Sequence, residues 1–307
     1  MIRLDDLQVF VSAAALGSLS AAARELDLSP ALASVALKRL EQALGAQLLI
    51  RSTRSLRLTA IGAQYLEHAQ QVLIALQTGV TAVKQGQQQI TGELSLSIPS
   101  DLGRNLLLPW LDIFQIAHPQ LSLRVRCSDR LSDLYRQPVD VAIRYGHLLD
   151  SALVAVPLVV DNCRVLCASP EFLAQHPAPK TPEDLLQYNC LQFMLGDTLH
   201  DKWQFGSGQN LQLISVRGNR VSDDGECVRR WAIAGYGIAY KSRLDALADL
   251  RMGRLIALLE NYEPEPAPLY LLCAQRLSLS PAVIALHVFL KVRFAQYLQN
   301  TLDDLVG

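Results

Sequence analysis

Several things are missing from this sequence, and each omission excludes a class of protein. No apolar run in its 307 residues approaches the roughly 20 needed to span a bilayer. Asp5 and Asp6 fall where a secretory leader would carry its basic segment. A cytoplasmic chain with no membrane partner is therefore expected. There is no GxSxG, P-loop, HExxH or long glycine-rich fingerprint. The histidines (His68, His118, His147, His176, His200 and His287) are scattered, and no CxxC or Cys/His cluster occurs. A non-enzyme with no catalytic residue, no cofactor and no metal site is expected. Charge of one sign is also lacking, since the formal net charge is −1. That excludes a DNA-packaging protein, which would be far more basic.

The charge is unevenly placed. Seven basic residues (Arg3, Arg24, Lys38, Arg39, Arg51, Arg54 and Arg57) give the first sixty residues a basic excess, and the acidic excess lies beyond residue 90. Within those sixty, Leu4, Leu7, Phe10, Val11 and Ala14 recur at helical spacing, so a first helix is predicted over about 4–16, stopped by Gly17. Ser18 or Ser20 suits the cap of a short second helix with Ala22, Ala23 and Leu26 inward. Ser29 suits the cap of a third, with Pro30 at its first position and Ala33, Leu37 and Leu40 inward. Two helices joined by so short a turn form a helix-turn-helix candidate, spanning 19–38. Its outward residues near the third helix N-terminus are Pro30, Ala31, Ser34 and Val35, with Lys38 and Arg39 further along for phosphates. Val35, Ala31 and Pro30 offer bases only apolar contact, so DNA shape is expected to supply part of the choice. Leu48–Ile50 and Leu56–Leu58 then read as a hairpin with Arg51 and Arg54 in its turn, a wing that can reach the backbone or minor groove.

The segment from Ser18 to Gly62 resembles the winged helix-turn-helix of the LysR-type transcriptional regulators. The residues that carry the resemblance are Ala22-Ala23, Leu26, Ser29, Ser34, Leu40-Glu41, Leu44-Gly45, Arg51, Arg54, Leu58-Thr59 and Gly62. Pro30, Val35, Ala36 and Leu49 depart from the usual pattern, which bears on base contacts and not on fold. The resemblance extends over nearly the whole chain through Pro109, Phe114, His118-Pro119, Asp140 to Gly146, Trp203-Gln204-Phe205 and Gly235 to Tyr240. It implies an α/β protein overall: a winged helix-turn-helix at 1–60, a linker helix at 61–90, and a periplasmic-binding-protein-like effector domain at 91–307. The effector domain would divide into subdomains at 91–162 with 267–307, and at 163–266.

The residues agree. Tyr65, Ala69, Val72, Leu76 and Val83 lie near heptad spacing, widened by Leu73 and Val80, as for a helix that pairs with a second copy of itself. The run Gly86 to Gln89 reads as a hinge. From Glu93 the pattern alternates between strands and helices, which predicts a largely parallel sheet covered by helices. One of those helices is expected over 129–137, and an amphipathic helix at 281–300. Ligands in such sheets sit at strand carboxyl ends. The candidates there are Ser100, Asp101, Asp129, Arg144, Tyr145, Met194, Ser222 and Gly235. Ser100 and the amides beyond it suit a carboxylate, although a plain helix cap explains it equally. Double-stranded promoter DNA, a small anionic effector and a second copy of the chain are the expected partners, with RNA polymerase a further candidate. A homotetramer, built as a dimer of dimers, is what the resemblance implies. An alternative is oxidant sensing through the six cysteines (Cys127, Cys163, Cys167, Cys190, Cys227 and Cys273), of which Cys163 and Cys167 would share a strand face.

Overall fold

The computed structural model describes residues 2–51, 56–84, 90–130, 139–146, 153–195, 198–274 and 280–299. By internal contacts the chain forms two compact units, 1–88 with 149–156 and 273–285, and the remainder. The wing tip at 52–55, the run 85–89 and the helix expected over 129–137, beyond residue 130, lie outside the described residues.

The first unit opens with three helices: α1 (Leu4–Leu16), α2 (Leu19–Glu25) and α3 (Pro30–Leu44). Their ends follow from local chemistry. Gly17 and Gly45 take the left-handed conformation at φ 59° and 65°, which costs a glycine nothing and ends α1 and α3. Ser18 Oγ accepts from Ala21 N, and Ser29 Oγ accepts from Leu32 N, both at 3.3 Å. Each bond satisfies an amide that the helix itself leaves unpaired. Ala22, Ala23, Ala33 and Ala36 are buried, and their small side chains allow α2 and α3 to approach closely. Leu7, Phe10, Leu37 and Leu40 fill the centre. The wing pairs β1 (Leu49–Arg51) with β2 (Leu56–Leu58) in antiparallel register, Ile50 opposite Arg57. Glu41 Oε1 accepts from the amides of Leu48 and Leu49 at 2.8 and 3.2 Å, which fixes the wing to α3.

Thr59 caps α4 (Ala60–Lys84), its Oγ1 accepting from Gly62 N at 2.8 Å. The apolar residues of α4 divide between two jobs. Tyr65, Leu66, Ala69 and Leu73 pack on the core of their own head, the ring of Tyr65 lying 5.9 Å from that of Phe10. Ile61, Val72 and Leu76 stay exposed.

Beyond the head, most of whose contacts are local, the chain forms two larger sheets that lie mainly in the second unit. One has five strands in the order β4-β3-β5-β15-β6: β3 (Gly92–Ile98), β4 (Leu121–Cys127), β5 (Val141–Tyr145), β6 (Leu153–Val159) and β15 (Leu269–Ala274). β3 is parallel to both β4 and β5. The other contains β7 (Arg164–Ala168), β8 (Cys190–Leu195), β9 (Thr198–His200), β12 (Val221–Ser222), β13 (Ile238–Ser242) and β14 (Ile256–Leu258). Here the sequence expectation of a largely parallel sheet is corrected, because β7 runs antiparallel to both β13 and β14. The chain enters β7 from the other sheet, so no crossover helix aligns it with its neighbours. A separate ribbon pairs β10 (Lys202–Phe205) with β11 (Gln212–Ser215).

Helices cover the sheets. Helical backbone runs from α5 (Ser100–Leu102) through a π-helical stretch at Gly103–Leu107 into α6 (Leu108–Ala117). On the second lobe lie α7 (Pro170–Gln175), α8 (Gly225–Ile233) and α9 (Arg243–Arg251). The terminal α10 (Pro281–Gln299) sets Phe294 and Phe289 against Trp110 and Phe114 of α6, with ring centres 5.0 and 5.3 Å apart. The strands pass between lobes at residues 160–163 and 266–268. Asn162 ties the two passages together, donating to Ala267 O at 2.5 Å and to Ser242 Oγ at 3.0 Å.

Candidate functional site

Two sets of residues invite a function: the outer face of α3, and a cleft in the second unit. Along α3, Ala33, Leu37 and Leu40 are consumed by the core, so the opposite face is presented outward. Pro30, Ala31, Val35 and Lys38 are exposed and Ser34 is half-buried. Leu32 joins them, 57% exposed beside Val35 at 55%. The sequence reading missed Leu32. Its position three residues before Val35 on a helix is the signal that would have found it. Ser29 is the cap. Arg51 stands in β1, and Arg54 lies in the undescribed tip.

Arg39, expected at phosphates, has a partner inside the head. Its Nε donates to Oδ2 of Asp6 at 2.7 Å, and a second guanidinium nitrogen donates to Oδ1. Asp6 is only 1% exposed. Hydrogen bonding to this carboxylate raises the Arg39 pKa above its ordinary value. A bidentate pair with a buried acid holds α3 against α1, and Lys38 is the exposed cation of that helix.

The cleft opens at the carboxyl ends of β3, β4 and β5 and encloses a cavity of about 230 Å³. Asp101, Asp129, Arg144 and Tyr145, all expected, line it. Lys241, Asp245, Arg164, His200, Glu265 and Tyr240 line it too, and the sequence reading offered none of them as a ligand contact. Lys241 had a signal: an ammonium inside the apolar strand Ile238 to Ser242, with Asp245 four residues on. Four expected residues, Ser100, Met194, Ser222 and Gly235, are not in the wall. Phe193 and Leu195 of β8 line the cavity, so strand alternation turns Met194 to the other face. Ser222 accepts from Asp224 N at 3.1 Å, shaping the turn before α8. Gly235 closes that helix at φ 77°, near Ser169 and Glu171.

The floor is a connected ionic network. Asp101 meets Lys241 at 2.5 Å and Arg229 at 2.8 Å. Arg229 continues to Asp249 at 2.7 Å, and Lys241 reaches Asp245 at 3.4 Å. Tyr145 donates to Asp245 at 2.6 Å. Burial opposes the charge of Lys241, but Asp101 and Asp245 outweigh it and hold the ammonium pKa up. For Asp245 burial prevails over Lys241 and pushes the carboxyl up to about 6. Arg144 spends its guanidinium on β3, donating to Ser97 O at 3.0 Å and Ser97 Oγ at 2.6 Å.

Ser100 is not a helix cap, as Pro99 precedes α5 without a side-chain bond. Its amide donates to Asp129 Oδ1 at 2.9 Å and its hydroxyl donates to Asp129 Oδ2. Gly225 N, across the cleft, donates to Ser100 Oγ at 2.8 Å and to Asp129 Oδ2 at 3.1 Å. Near the mouth, Glu265 lies 3.3 Å from Arg164 and 3.6 Å from His200. Burial works against the Glu265 charge, but these two partners lower its pKa below the ordinary value. Among the described residues, no group of three His, Cys, Asp or Glu could hold a metal ion.

A winged helix-turn-helix head, with a two-lobed body that carries a cleft, is the architecture of a DNA-binding protein with a substrate-binding domain. Residues 4–63 match the model of the bacterial regulatory helix-turn-helix proteins of the LysR family, and residues 87–295 match that of the LysR substrate binding domain. The chain belongs to the LysR family of bacterial transcription regulators. It is 36% identical to the HTH-type transcriptional regulator DmlR of Escherichia coli K12, over 97% of this chain and 96% of that one. The HTH-type transcriptional activator TtdR of the same strain is 34% identical over 84% of this chain and 83% of its own. Among solved structures, CrgA of Neisseria meningitidis, a LysR-type regulator, aligns with a TM-score of 0.62 at 30% identity, covering 96% of this chain and 99% of that chain.

Proposed function

We propose that the protein binds promoter DNA through α3 and the wing, and that a small anionic molecule in the cleft modulates this binding. The observation that carries the ligand half is the donor set at Ser100 and Gly225, which already holds a carboxylate at the edge of an enclosed cavity. Its volume is below the roughly 300–1,000 Å³ of drug-sized pockets, which suits a small organic acid. Asp101, Asp129, Arg144 and Tyr145 are the expected residues retained as ligand contacts, with Arg164, His200 and Lys241 added.

On the DNA side, Pro30, Ala31, Leu32, Ser34 and Val35 meet base edges, Lys38 and the wing arginines Arg51 and Arg54 meet the backbone, and Arg39 positions the helix. Ile61, Val72 and Leu76 repeat at 11 and 4 residues along α4, on one helical face. That face pairs two copies, and pairs of dimers complete the assembly. Ligand-driven movement of the lobes about the Asn162 passages then changes how the heads are presented.

The oxidant alternative has less support. Burial pushes the thiols of Cys167, Cys190 and Cys273 up to about 12 and raises those of Cys127 and Cys163. Attack on an oxidant needs the thiolate.

Mobility shift on the intergenic DNA beside its own gene tests the reading. Specific binding that weakens steeply with salt is expected, and an organic acid that stabilises the protein thermally should alter the footprint. Absence of specific binding over a range of salt sinks the DNA half. A footprint indifferent to every stabilising acid sinks the coupling.

A further inference from the structure

We propose that Asp129 is the resting occupant of a carboxylate subsite in the cleft, a tethered competitor for the donors that join the two lobes. This rests on reading the cleft as the sensing site and names how that site is regulated. Three donors from two lobes converge on one side-chain carboxylate: the amide and hydroxyl of Ser100 and the amide of Gly225. Ser100 belongs to the lobe of the five-stranded sheet and Gly225 to the other, 125 residues away in sequence. Ser100 is 3% exposed and Gly225 is buried, so none of these donors has water as an easy substitute.

Neutral donors that converge on an anion are how proteins hold a ligand carboxylate without a permanent counter-charge. Here the chain supplies the carboxylate itself. The nearby cations are committed elsewhere. Lys241 is held by Asp101 and by Gly225 O at 2.8 Å, and Arg229 by Asp101 and Asp249. A ligand carboxylate cannot share the cradle with Asp129, because both would need the same three donors and the second would add a further negative charge beside Asp101 and Asp245. It enters only by expelling Asp129. That step is local, since Asp129 follows the end of β4, whose next residue, Ser128, donates its amide to Ile98 O at 3.0 Å. Rotation of one side chain empties the cradle without breaking the strand.

Two consequences follow. The lobes are bridged without effector, so the resting cleft already has the contact that a bound acid would make. An effector carboxylate also competes with a group present at high effective concentration, which lowers its apparent affinity.

The test uses the full chain and acetate, a probe small enough to occupy the cradle alone, with chloride at equal ionic strength as control. Thermal unfolding and titration calorimetry are run on the unaltered protein, Asp129→Ala and Asp129→Asn. Asp129→Ala should melt lower and regain stability with acetate, at half-saturation on the order of tenfold below any response of the unaltered protein. Asp129→Asn should melt lower without acetate rescue, because its amide fills the space while presenting donors to donors. Equal acetate responses in all three proteins, or none in Asp129→Ala, overturn the proposal. Should Asp129→Ala prove insoluble, Asp129→Gly vacates at least the same volume without adding a polar group and is judged by the same two outcomes. Promoter binding by the unaltered protein separates the two readings. If it persists while acetate rescue fails, the competitor is wrong and the regulator stands. If promoter binding is absent, the regulator reading falls whatever acetate does.

Discussion

The head and the cleft solve opposite problems with the same materials. The head is held by apolar packing among residues close in sequence, with one ion pair among its described residues, buried Asp6 with the half-exposed Arg39, set between α1 and α3. The cleft is held by charge. Asp101, Lys241, Arg229, Asp245 and Asp249 are drawn from positions up to 148 residues apart, and all are largely buried. Apolar packing is tolerant of substitution at similar volume. A buried ionic network is not, because removing one member leaves another uncompensated. The head is therefore built to stay one shape, and the cleft to depend on which charges are present.

The largest test of this contrast removes a charge from the floor. Asp101→Ala should cost about 3–5 kcal/mol, the usual effect of stranding a buried partner, here Lys241 and one arm of Arg229. Pairing it with Lys241→Met should recover much of that loss, since an apolar replacement of both partners is often close to neutral. Chemical denaturation of both variants reads the outcome. If Asp101→Ala cost under about 1 kcal/mol, the network would be decorative and the contrast would fail.

The same contrast explains what could be read from the chain. The three head helices, their caps at Ser18 and Ser29, their glycine stops and the hairpin are local, and periodicity with cap chemistry exposes them. In the body, strand positions such as Val141–Tyr145 were legible, and with them Asp101, Asp129, Arg144 and Tyr145 at strand ends. The antiparallel run of β7 was hidden, because strand direction depends on pairing with distant segments. So was Glu265, whose partners Arg164 and His200 are distant in sequence, whereas Lys241 and Asp245 left a local signal that went unread. The face that Met194 occupies was hidden, because a single residue of register on β8 decides it. The Arg39 pairing was hidden because its partner, Asp6, is two helices away.

A smaller effect concerns pH. The Asp245 carboxyl is held at about 6 in the folded protein, against an ordinary value of 3.8. Burial raises it, and Lys241, Tyr145, Asp101 and Asp129 are the groups around it. The folded state thus holds the Asp245 proton more tightly than the unfolded chain does. The resulting stabilisation is complete below about pH 4 and is lost as pH rises through about 6. Relative to Asp245→Asn, the unaltered protein should lose about 3 kcal/mol across that window and run parallel above it. Unfolding free energies at half-unit pH steps decide this. Parallel curves throughout would place the carboxylate in an ordinary environment and remove pH from the behaviour of the cleft.

The smallest effect probes whether the head is as indifferent to single polar groups as its packing suggests. Ser29→Ala and Ser18→Ala each delete one cap bond, and each should cost about 1 kcal/mol. On stability alone the two are close, since the bonds have the same length and span the same three residues. They differ in what the capped helix carries. Ser18 orders the start of α2, which packs Ala22 and Ala23 inward. Ser29 orders the first turn of α3, where Pro30, Ala31 and Leu32 face outward. If that turn meets base edges, Ser29→Ala should lower affinity for the promoter site more than for unrelated DNA, by a few-fold. Ser18→Ala should lower both equally or not at all. The ratio of specific to non-specific affinity at fixed salt, measured for both variants, is the quantity to compare. Equal ratios would mean that the first turn of α3 positions the head without reading the sequence, and base choice would then lie with the wing and with DNA shape.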